Sequence, residues 1–215
     1  LPTRDLNVTI AEVVARFTQR TRRVHTTNPT HPTASYVSVY DLRRLHRALP
    51  ETALLVVGAA YSEYVKRNNY EAGIELVSTT SNVVMTRTFS KAYGLAGIRI
   101  GWAYCPKAVA EVFNRVRAPF NINIAAQRAA VAGLADVAHT DTVIGHNDTW
   151  RTWLTAPLLV LGLRLADSVA TFMLIHFPDL PNRRSAGSAR FLLSRAITIP
   201  SFASYDLPHC LPLSC

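Results

Sequence analysis

Lysine, cysteine and acidic side chains are all scarce in this chain of 215 residues. Three of the 23 basic residues are lysines and the others are arginines, against 14 acidic residues, so the formal net charge is +9. Cys105, Cys210 and Cys215 form no CxxC pair and no His/Cys cluster at metal-ligand spacing. This spacing argues against a zinc site or a disulfide framework and favours unpaired thiols in a reducing compartment.

Long apolar runs are also missing. The most apolar late stretch, residues 156–177, is interrupted by Arg164 and Asp167 and favours a helix end, a turn and a strand over a membrane span. The first residues, LPTRDLNVTIAEVV, lack the basic region and apolar run of a signal peptide. We therefore expect a cytoplasmic protein.

The excess of arginine has two interpretations. A basic face binds nucleic acid or another anionic ligand, whereas scattered arginines only solvate the surface. The arginines form no block of five or six like charges, and no aromatic residues alternate with them. The sequence therefore favours scattered surface charge, and we expect no nucleic-acid partner.

Short apolar runs alternate with helical patterns along a chain that is 49% hydrophobic and 17% charged. This alternation is typical of a layered α/β fold. The pattern predicts strands at 23–28, 53–58, 82–89, 97–104, 170–177, 196–199 and 209–215. It predicts helices at 10–17, 40–49, 106–117 and 188–195, and two more between 124 and 162.

Lys91 follows the apolar strand predicted at 82–89, at the sheet edge where open α/β sheets bind ligands. A lysine amine forms imines with aldehydes and ketones when its environment favours the neutral form. Thr88, Ser90 and Arg99 are the residue types that hold a phosphate, since hydroxyls and a guanidinium donate to its oxygens. An imine-forming lysine beside a phosphate site is what pyridoxal 5'-phosphate (PLP) requires. A solvated surface lysine is the alternative.

The string TRTFSKAYGLAGIRIGWAY resembles the lysine segment of fold-type-I PLP-dependent aminotransferases, especially the histidinol-phosphate aminotransferase branch. Five further segments resemble that family in the same order along the chain: NPTHPTASY, VVGAAYSEYV, RNNYEAGIELV, RAPFNINIAAQRAA and SYDLPHCLPLS. The resemblance implies an α/β fold with a mostly parallel sheet and helices on both faces. It also implies that residues 1–125 form the remaining part of the large PLP-binding domain. Residues 126–215 would then form a helical connection and a small α+β domain.

The resemblance also implies roles for individual residues. Lys91 would form the aldimine with PLP and carry protons during amino transfer from an amino donor to a 2-oxo acid. Thr88 and Arg99, assisted by Ser90, would bind the cofactor phosphate, and Tyr61 would donate to its phenolic oxygen. The family implies a homodimer, small-molecule substrates, a place in histidine biosynthesis, and neither a metal nor a membrane.

Five positions depart from the family pattern. Gly58 stands where the family has the aspartate that pairs with the pyridine nitrogen, and His31 stands where it has an asparagine that contacts the phenolic oxygen. The turn glycine is Ala34, which is strained if that position needs a positive φ. Thr171 replaces an asparagine, and Pro212 replaces the arginine that binds the substrate carboxylate.

The front of the family's chain has no counterpart in this sequence, which we expect to leave an uncovered sheet edge and apolar surface. Two hypotheses follow from the departures. The chain is an aminotransferase with impaired activity, or it is a catalytically inactive, truncated remnant or dimerising module. A pyridine partner and a carboxylate arginine distinguish the two, and the sequence shows neither at the expected positions.

Overall fold

The computed structural model describes residues 3–4, 7–181, 183–199, 202, 205 and 207–214. The strands are β1 (Thr3–Arg4), β2 (Asn7–Val8), β3 (Arg23–Thr27), β4 (Leu54–Gly58), β5 (Val83–Thr88), β6 (Gly101–Tyr104), β7 (Arg164–Leu165), β8 (Phe172–His176) and β9 (Cys210–Ser214). The α-helices are α1 (Ile10–Val14), α2 (Val39–Arg47), α3 (Ile74–Thr79), α4 (Lys107–Val116), α5 (Ile124–Ala135), α6 (Val137–Val160) and α7 (Ser185–Ser194). Single 3₁₀ turns lie at Ser62–Tyr64 and Ala96–Ile98.

The main sheet has the order β3-β4-β5-β6, with two parallel pairs followed by one antiparallel pair. The inward-facing residues of its central strands, Leu55, Val57, Val83 and Met85, are completely buried. They pack with α1, α2 and α3 in a single apolar cluster. This burial on a mixed, mostly parallel sheet confirms the predicted α/β class.

A second, antiparallel sheet has the order β7-β8-β9. Along the chain, the main sheet precedes α5 and α6 and the second sheet follows them, and the expected domain boundary at 125/126 falls within α5. Division of the chain into two domains remains a prediction. No helix in the described residues is both long and apolar enough to cross a membrane.

Most predicted elements are present, but two predicted strands differ, and the short strands β1, β2 and β7 were not predicted. Residues 97–100 precede β6 as part of a 3₁₀ turn and its exit, because Arg99 has a left-handed φ of 61° that no strand accommodates. Residues 197–199 form no strand, and Ala196 before them has a φ of 61°. Helix α3 was not predicted, since its six residues are too few to show a period. Cys215 lies outside the described residues.

The expected uncovered surface is present along β6 and α4. None of the ten residues of α4 is buried, and the side chains of Phe113 and Val116 are 46% and 74% exposed. Strand β6 is exposed along its whole length, including Trp102 at 41%. In the described sheet, β6 is also an edge strand, so its outer backbone groups have no neighbouring strand.

Candidate active site

Lys91 lies directly beyond the carboxyl end of β5, held by a tight turn. The Gly94 amide donates to the Lys91 carbonyl at 2.9 Å, and the Leu95 amide donates to the Phe89 carbonyl at 2.9 Å. Gly94 has a φ of 67°, a conformation that glycine adopts without a steric penalty. The turn therefore places the lysine at the sheet edge that the sequence predicts.

Tyr61 reaches the same edge from the neighbouring strand. It follows β4 by three residues and is 7% exposed. The Lys91 ammonium lies 5.1 Å from the centroid of its ring, within the range of a cation–π contact. The phenol ring also packs edge-on against Phe172, with 5.4 Å between centroids. Tyr61 is thus fixed between the lysine and the second sheet.

His31 comes from the turn that follows β3. The Asn28 side chain holds this turn by donating to the Val37 carbonyl at 3.0 Å and accepting from the Val37 amide at 2.9 Å. Partial burial of the ring, and secondarily the charge of Lys91, lower the pKa of His31 below its ordinary value. Both causes favour the neutral imidazole, which offers a hydrogen-bonding group.

These three residues face one cleft of about 450 Å³. We call His31, Tyr61 and Lys91 the lysine wall, since all three follow parallel strands at their carboxyl ends. The opposite side, the C-terminal wall, consists of Thr171, Phe172, Ile197, Thr198, Ile199, Phe202, Pro212, Leu213 and Ser214. The His31 ring crosses the cleft to contact Phe172 and Phe202, with centroid distances of 5.3 and 5.7 Å.

The three expected phosphate-binding residues lie elsewhere. The Thr88 hydroxyl accepts from the Ser90 amide at 3.1 Å, so these two are joined at the end of β5. Arg99 is exposed, and its guanidinium donates to the Ala96 carbonyl at 2.7 Å. None of the three is among the described residues that line the cleft. The structure therefore brings together Lys91, Tyr61 and His31, and pairs Thr88 with Ser90.

Gly58 ends β4 with little free space beside it. A Cβ atom at this position would lie 3.3 Å from the Thr27 methyl and 3.8 Å from the Thr86 hydroxyl. The Thr26 carbonyl oxygen would lie at 3.7 Å, an ordinary contact distance, so an added Cβ atom needs only a small shift of the Thr27 methyl group. The glycine itself supplies no charge at this point of the sheet.

Glu63, the nearest acidic residue in sequence, does not replace the missing carboxylate. It forms an ion pair with Arg87 at 2.5 Å, and the two side chains are only 8% and 15% exposed. The Arg87 guanidinium also lies 5.7 Å from the centroid of the Trp102 ring. Glu63 is therefore neutralised by Arg87. The sequence signal for this pair is an arginine late in the strand VVMTRT.

At Ala34 the backbone conformation shows how the chain accommodates a residue that differs from the family pattern. Ala34 is completely buried with a φ of 60°, so the left-handed geometry expected of a glycine is present with a methyl group added.

Pro212 lies on β9, an edge strand of the described sheet, and is paired with Leu174 of β8. The Phe177 amide donates to the His209 carbonyl, and hydrogen-bonded pairs alternate along the ladder. Pro212 therefore stands at a non-hydrogen-bonded position, and no ladder bond is lost.

Comparison with known proteins supports the same family. The model of the class I and II aminotransferases matches residues 3–215. The chain is 42% identical over 211 residues to a histidinol-phosphate aminotransferase of Rhodopseudomonas palustris strain BisB18, covering 98% of this chain and 58% of that relative. A second relative, from strain HaA2, is also 42% identical, over 213 residues. The chain thus spans about 58% of the length of these curated relatives.

Comparison with solved structures supports the same family and fold. Histidinol-phosphate aminotransferase from Sinorhizobium meliloti, in complex with pyridoxal-5'-phosphate, matches with a TM-score of 0.84 and 29% identity, over 100% of this chain and 58% of that one. The enzyme from Clostridium acetobutylicum matches with a TM-score of 0.88 over 99% of this chain and 64% of that one, and at 16% identity it supports the fold alone. With the family model matching almost the whole sequence, the chain belongs to the class I and II aminotransferase family and has its fold.

Proposed function

We propose that this chain is an aminotransferase-type protein that binds PLP through Lys91 and transfers amino groups to a 2-oxo acid with impaired efficiency. The observation that carries the proposal is the lysine wall. Lys91, Tyr61 and His31 come from the carboxyl ends of three adjacent parallel strands and face one cleft. A ligand site at this edge is the rule for open α/β sheets.

The residues present fit PLP on its aldehyde side. The Lys91 amine is the group that would hold the cofactor aldehyde, and Tyr61 lies beside it as a hydroxyl donor for the phenolic oxygen. Thr88, Ser90 and Arg99 would donate to the phosphate, and His31 would supply a further donor. When bound, PLP supplies an electron sink for chemistry at the carbon that carries the amino group.

The residues do not fit PLP on its pyridine side. Gly58 offers no carboxylate, and Glu63 is committed to Arg87. Without a negative partner, the ring nitrogen loses the interaction that keeps it protonated, and the electron sink is weakened. Removal of one partner from a buried ion pair costs about 3–5 kcal/mol, which corresponds to roughly 10² to 10⁴ in rate.

A second candidate function is a catalytically inactive module that assembles with another polypeptide. The observation that favours it is the exposed apolar surface of β6 and α4, where Trp102, Phe113 and Val116 are each more than 40% exposed. Surfaces of this kind mark protein interfaces. We propose a homodimer in the cytoplasm for either function, on the basis of the family. Division into domains at 125/126 belongs to the same proposal.

An absorbance scan tests the proposed function. Purified protein is mixed with PLP and scanned before and after borohydride, beside the variants Lys91→Ala and Lys107→Ala. Lys107 is a matched control because its side chain is 92% exposed and lies outside the cleft. We expect an imine band that borohydride fixes in the wild type and in Lys107→Ala but not in Lys91→Ala. An equal band in all three proteins, or no band, refutes the proposal.

A further inference from the structure

A second cleft lies where three segments that are far apart in the sequence meet. Lys66 and Arg67 follow the 3₁₀ turn after β4, Arg151 lies on α6, and Val169 precedes β8. The cleft has a volume of about 360 Å³. Its described lining consists of Tyr64, Lys66, Arg67, Asp148, Arg151, Thr152 and Val169. None of these residues lines the cleft at Lys91, so the second cleft is a separate candidate site.

Positive charge exceeds negative charge in the second cleft. Its described lining holds three basic side chains and one acidic side chain, Asp148. Lys66 Nζ donates to one Asp148 oxygen at 2.6 Å, and Arg151 Nη2 donates to the other at 3.2 Å. Arg67 takes its partner from outside the lining, since its Nη2 lies 3.4 Å from the carboxylate of Asp167, whose side chain is 80% exposed. Such exposed pairs are weak, so at least one positive charge remains in excess.

The hydrogen-bond donors of the cleft are not saturated by protein acceptors. Arg151 Nη1 donates to the Ser168 carbonyl, but its Nε is buried without a partner among the described residues. The Lys66 ammonium carries three donors, of which Asp148 takes one. Tyr64 is 5% exposed, and its hydroxyl makes no hydrogen bond within the described chain. Burial is the main cause that raises the pKa of Tyr64 to about 12, so this hydroxyl keeps its proton.

A structural tie between the turn after Tyr61 and α6 is the alternative role for these charges. Elsewhere in the described chain, exposed arginines that form such ties pair with one carboxylate each, as Arg43 does with Glu75 and Arg184 with Asp179. In the second cleft the cations outnumber the carboxylates and line a concave surface. Guanidinium and ammonium groups that converge in this way match the several acceptor oxygens of a phosphate group.

We propose that the second cleft binds the phosphate group of a small molecule, inorganic phosphate or a phosphate monoester, through Lys66, Arg67 and Arg151. The inference is independent of the proposed function, because the two clefts share no described lining residue. Bound phosphate would join the segment that follows Tyr61 to α6. Asp148 competes with the phosphate for Lys66 and Arg151, so its carboxylate weakens binding.

Isothermal titration calorimetry of the whole chain with inorganic phosphate tests the proposal, at constant ionic strength with chloride as the balancing anion. The variants in the cleft are Arg67→Met, Arg151→Met and Asp148→Asn. Arg43→Met is the matched control, because it removes one arginine from an exposed ion pair outside the cleft. Arg99→Met controls for binding by the residues proposed to hold the PLP phosphate. Glycerol phosphate replaces inorganic phosphate in a second titration.

We expect saturable phosphate binding that Arg67→Met weakens about fivefold and Arg151→Met about tenfold, the range of hydrogen bonds to charged groups. Arg43→Met and Arg99→Met should change its affinity by less than about twofold. Asp148→Asn should strengthen it about threefold or more, because the competing carboxylate is removed. Tighter binding of glycerol phosphate than of inorganic phosphate would identify a phosphate monoester as the ligand, and the reverse order would identify free phosphate.

Four results would overturn the inference. They are the absence of saturable binding, equal weakening by Arg67→Met and Arg43→Met, weakening by Arg99→Met alone, and unchanged or weaker binding in Asp148→Asn. If Arg151→Met does not fold, Arg67→Met carries the test, since that side chain is 49% exposed. The PLP scan at Lys91 is a separate measurement, so either proposal can fail while the other stands.

Discussion

The two walls of the cleft differ in how they are built and in what they retain. The lysine wall is carried by parallel strands whose inward side chains are completely buried, and it keeps Lys91 and Tyr61 in the family's order. The C-terminal wall is carried by a three-stranded antiparallel sheet with β9 at its edge. It presents Thr171 and Pro212 where the resemblance implies an asparagine and an arginine. The proposed cofactor attachment and the substrate recognition implied by the resemblance therefore lie on different elements.

Removal of the ion pair that supports the lysine wall should give the largest change in stability. The Glu63–Arg87 pair joins the turn after Tyr61 to the strand that leads to Lys91. Arg87→Met leaves Glu63 buried without a positively charged partner, and we expect a loss of about 3–5 kcal/mol in the free energy of unfolding. Urea denaturation measures this loss.

Two controls define the origin of that loss. Lys107→Met removes an exposed ion pair with Glu111, spaced 3.9 Å apart, and should change stability by less than about 1 kcal/mol. The double variant Glu63→Met/Arg87→Met removes both charges and should be more stable than Arg87→Met alone. If the double variant is as unstable as the single one, packing of the arginine and not its charge supports the wall.

Two alanines with left-handed geometry lie next to the walls in sequence, Ala34 in the turn that carries His31 and Ala196 directly before Ile197. Ala196 follows α7, where the Ile197 amide donates to the Leu192 carbonyl, and it is exposed with a φ of 61°. Ala196→Gly should stabilise the protein by about 1 kcal/mol, since glycine adopts this conformation without strain. Thermal or urea unfolding would show the gain.

Ala34→Gly is the buried counterpart on the lysine side. The relief of strain at its φ of 60° is offset by the loss of a buried methyl group, which contributes about 0.8 kcal/mol. We therefore expect a smaller gain than at Ala196 or none. A larger gain at Ala34 would show that strain in this turn exceeds the ordinary penalty of the left-handed region.

The smallest expected effects are on the pH dependence of folding stability. The pKa of His31 is lowered by burial and then by Lys91, and the pKa of His176 on β8 is lowered by burial, Arg164 and His209. The unfolded chain binds more protons than the folded chain below pH 6.5, so stability falls as pH drops from 6.5 through the folded pKa values. His31→Gln and His176→Gln should each flatten this part of the stability profile.

NMR titration separates the two causes at His31. Lys91→Ala removes the charge but keeps the burial, so the pKa of His31 should rise toward its ordinary value without reaching it. The pKa of His176 is the internal control, because Lys91 is not among the groups that shift it. If the pKa of His31 did not change, the charge of Lys91 would be too distant to affect it.

The sequence predicted the fold well where periodicity and burial coincide. The strand predicted at 53–58 is β4, whose alternate residues are completely buried, and the helices between 124 and 162 are α5 and α6. It was less informative at 97–100, where a single left-handed residue, Arg99, interrupts the apolar pattern. Local φ values are set by turn packing, which apolar spacing does not record.

Some residues of the candidate site were likewise predicted from the sequence and others were not. Lys91 was predicted because it follows a buried strand, and Tyr61 because the family resemblance implies it; the structure places their side chains in contact. Phe172 and Phe202 were not predicted, since they reach the cleft from the second sheet and its connection, far away in sequence. The ion pair of Arg87 likewise joins two strand ends that only the fold brings together.

The central claim is that the lysine wall is retained while Gly58 limits catalysis. Single-turnover amino transfer from glutamate to bound PLP, followed by absorbance in the wild type and in Gly58→Asp, tests it most directly. The space beside Gly58 admits a Cβ atom after a small shift of the Thr27 methyl group. We predict that Gly58→Asp accelerates the reaction by about 10² or more, the lower end of the loss attributed to the missing pair. Equal rates in the two proteins, with PLP bound to Lys91 in both, would contradict the claim.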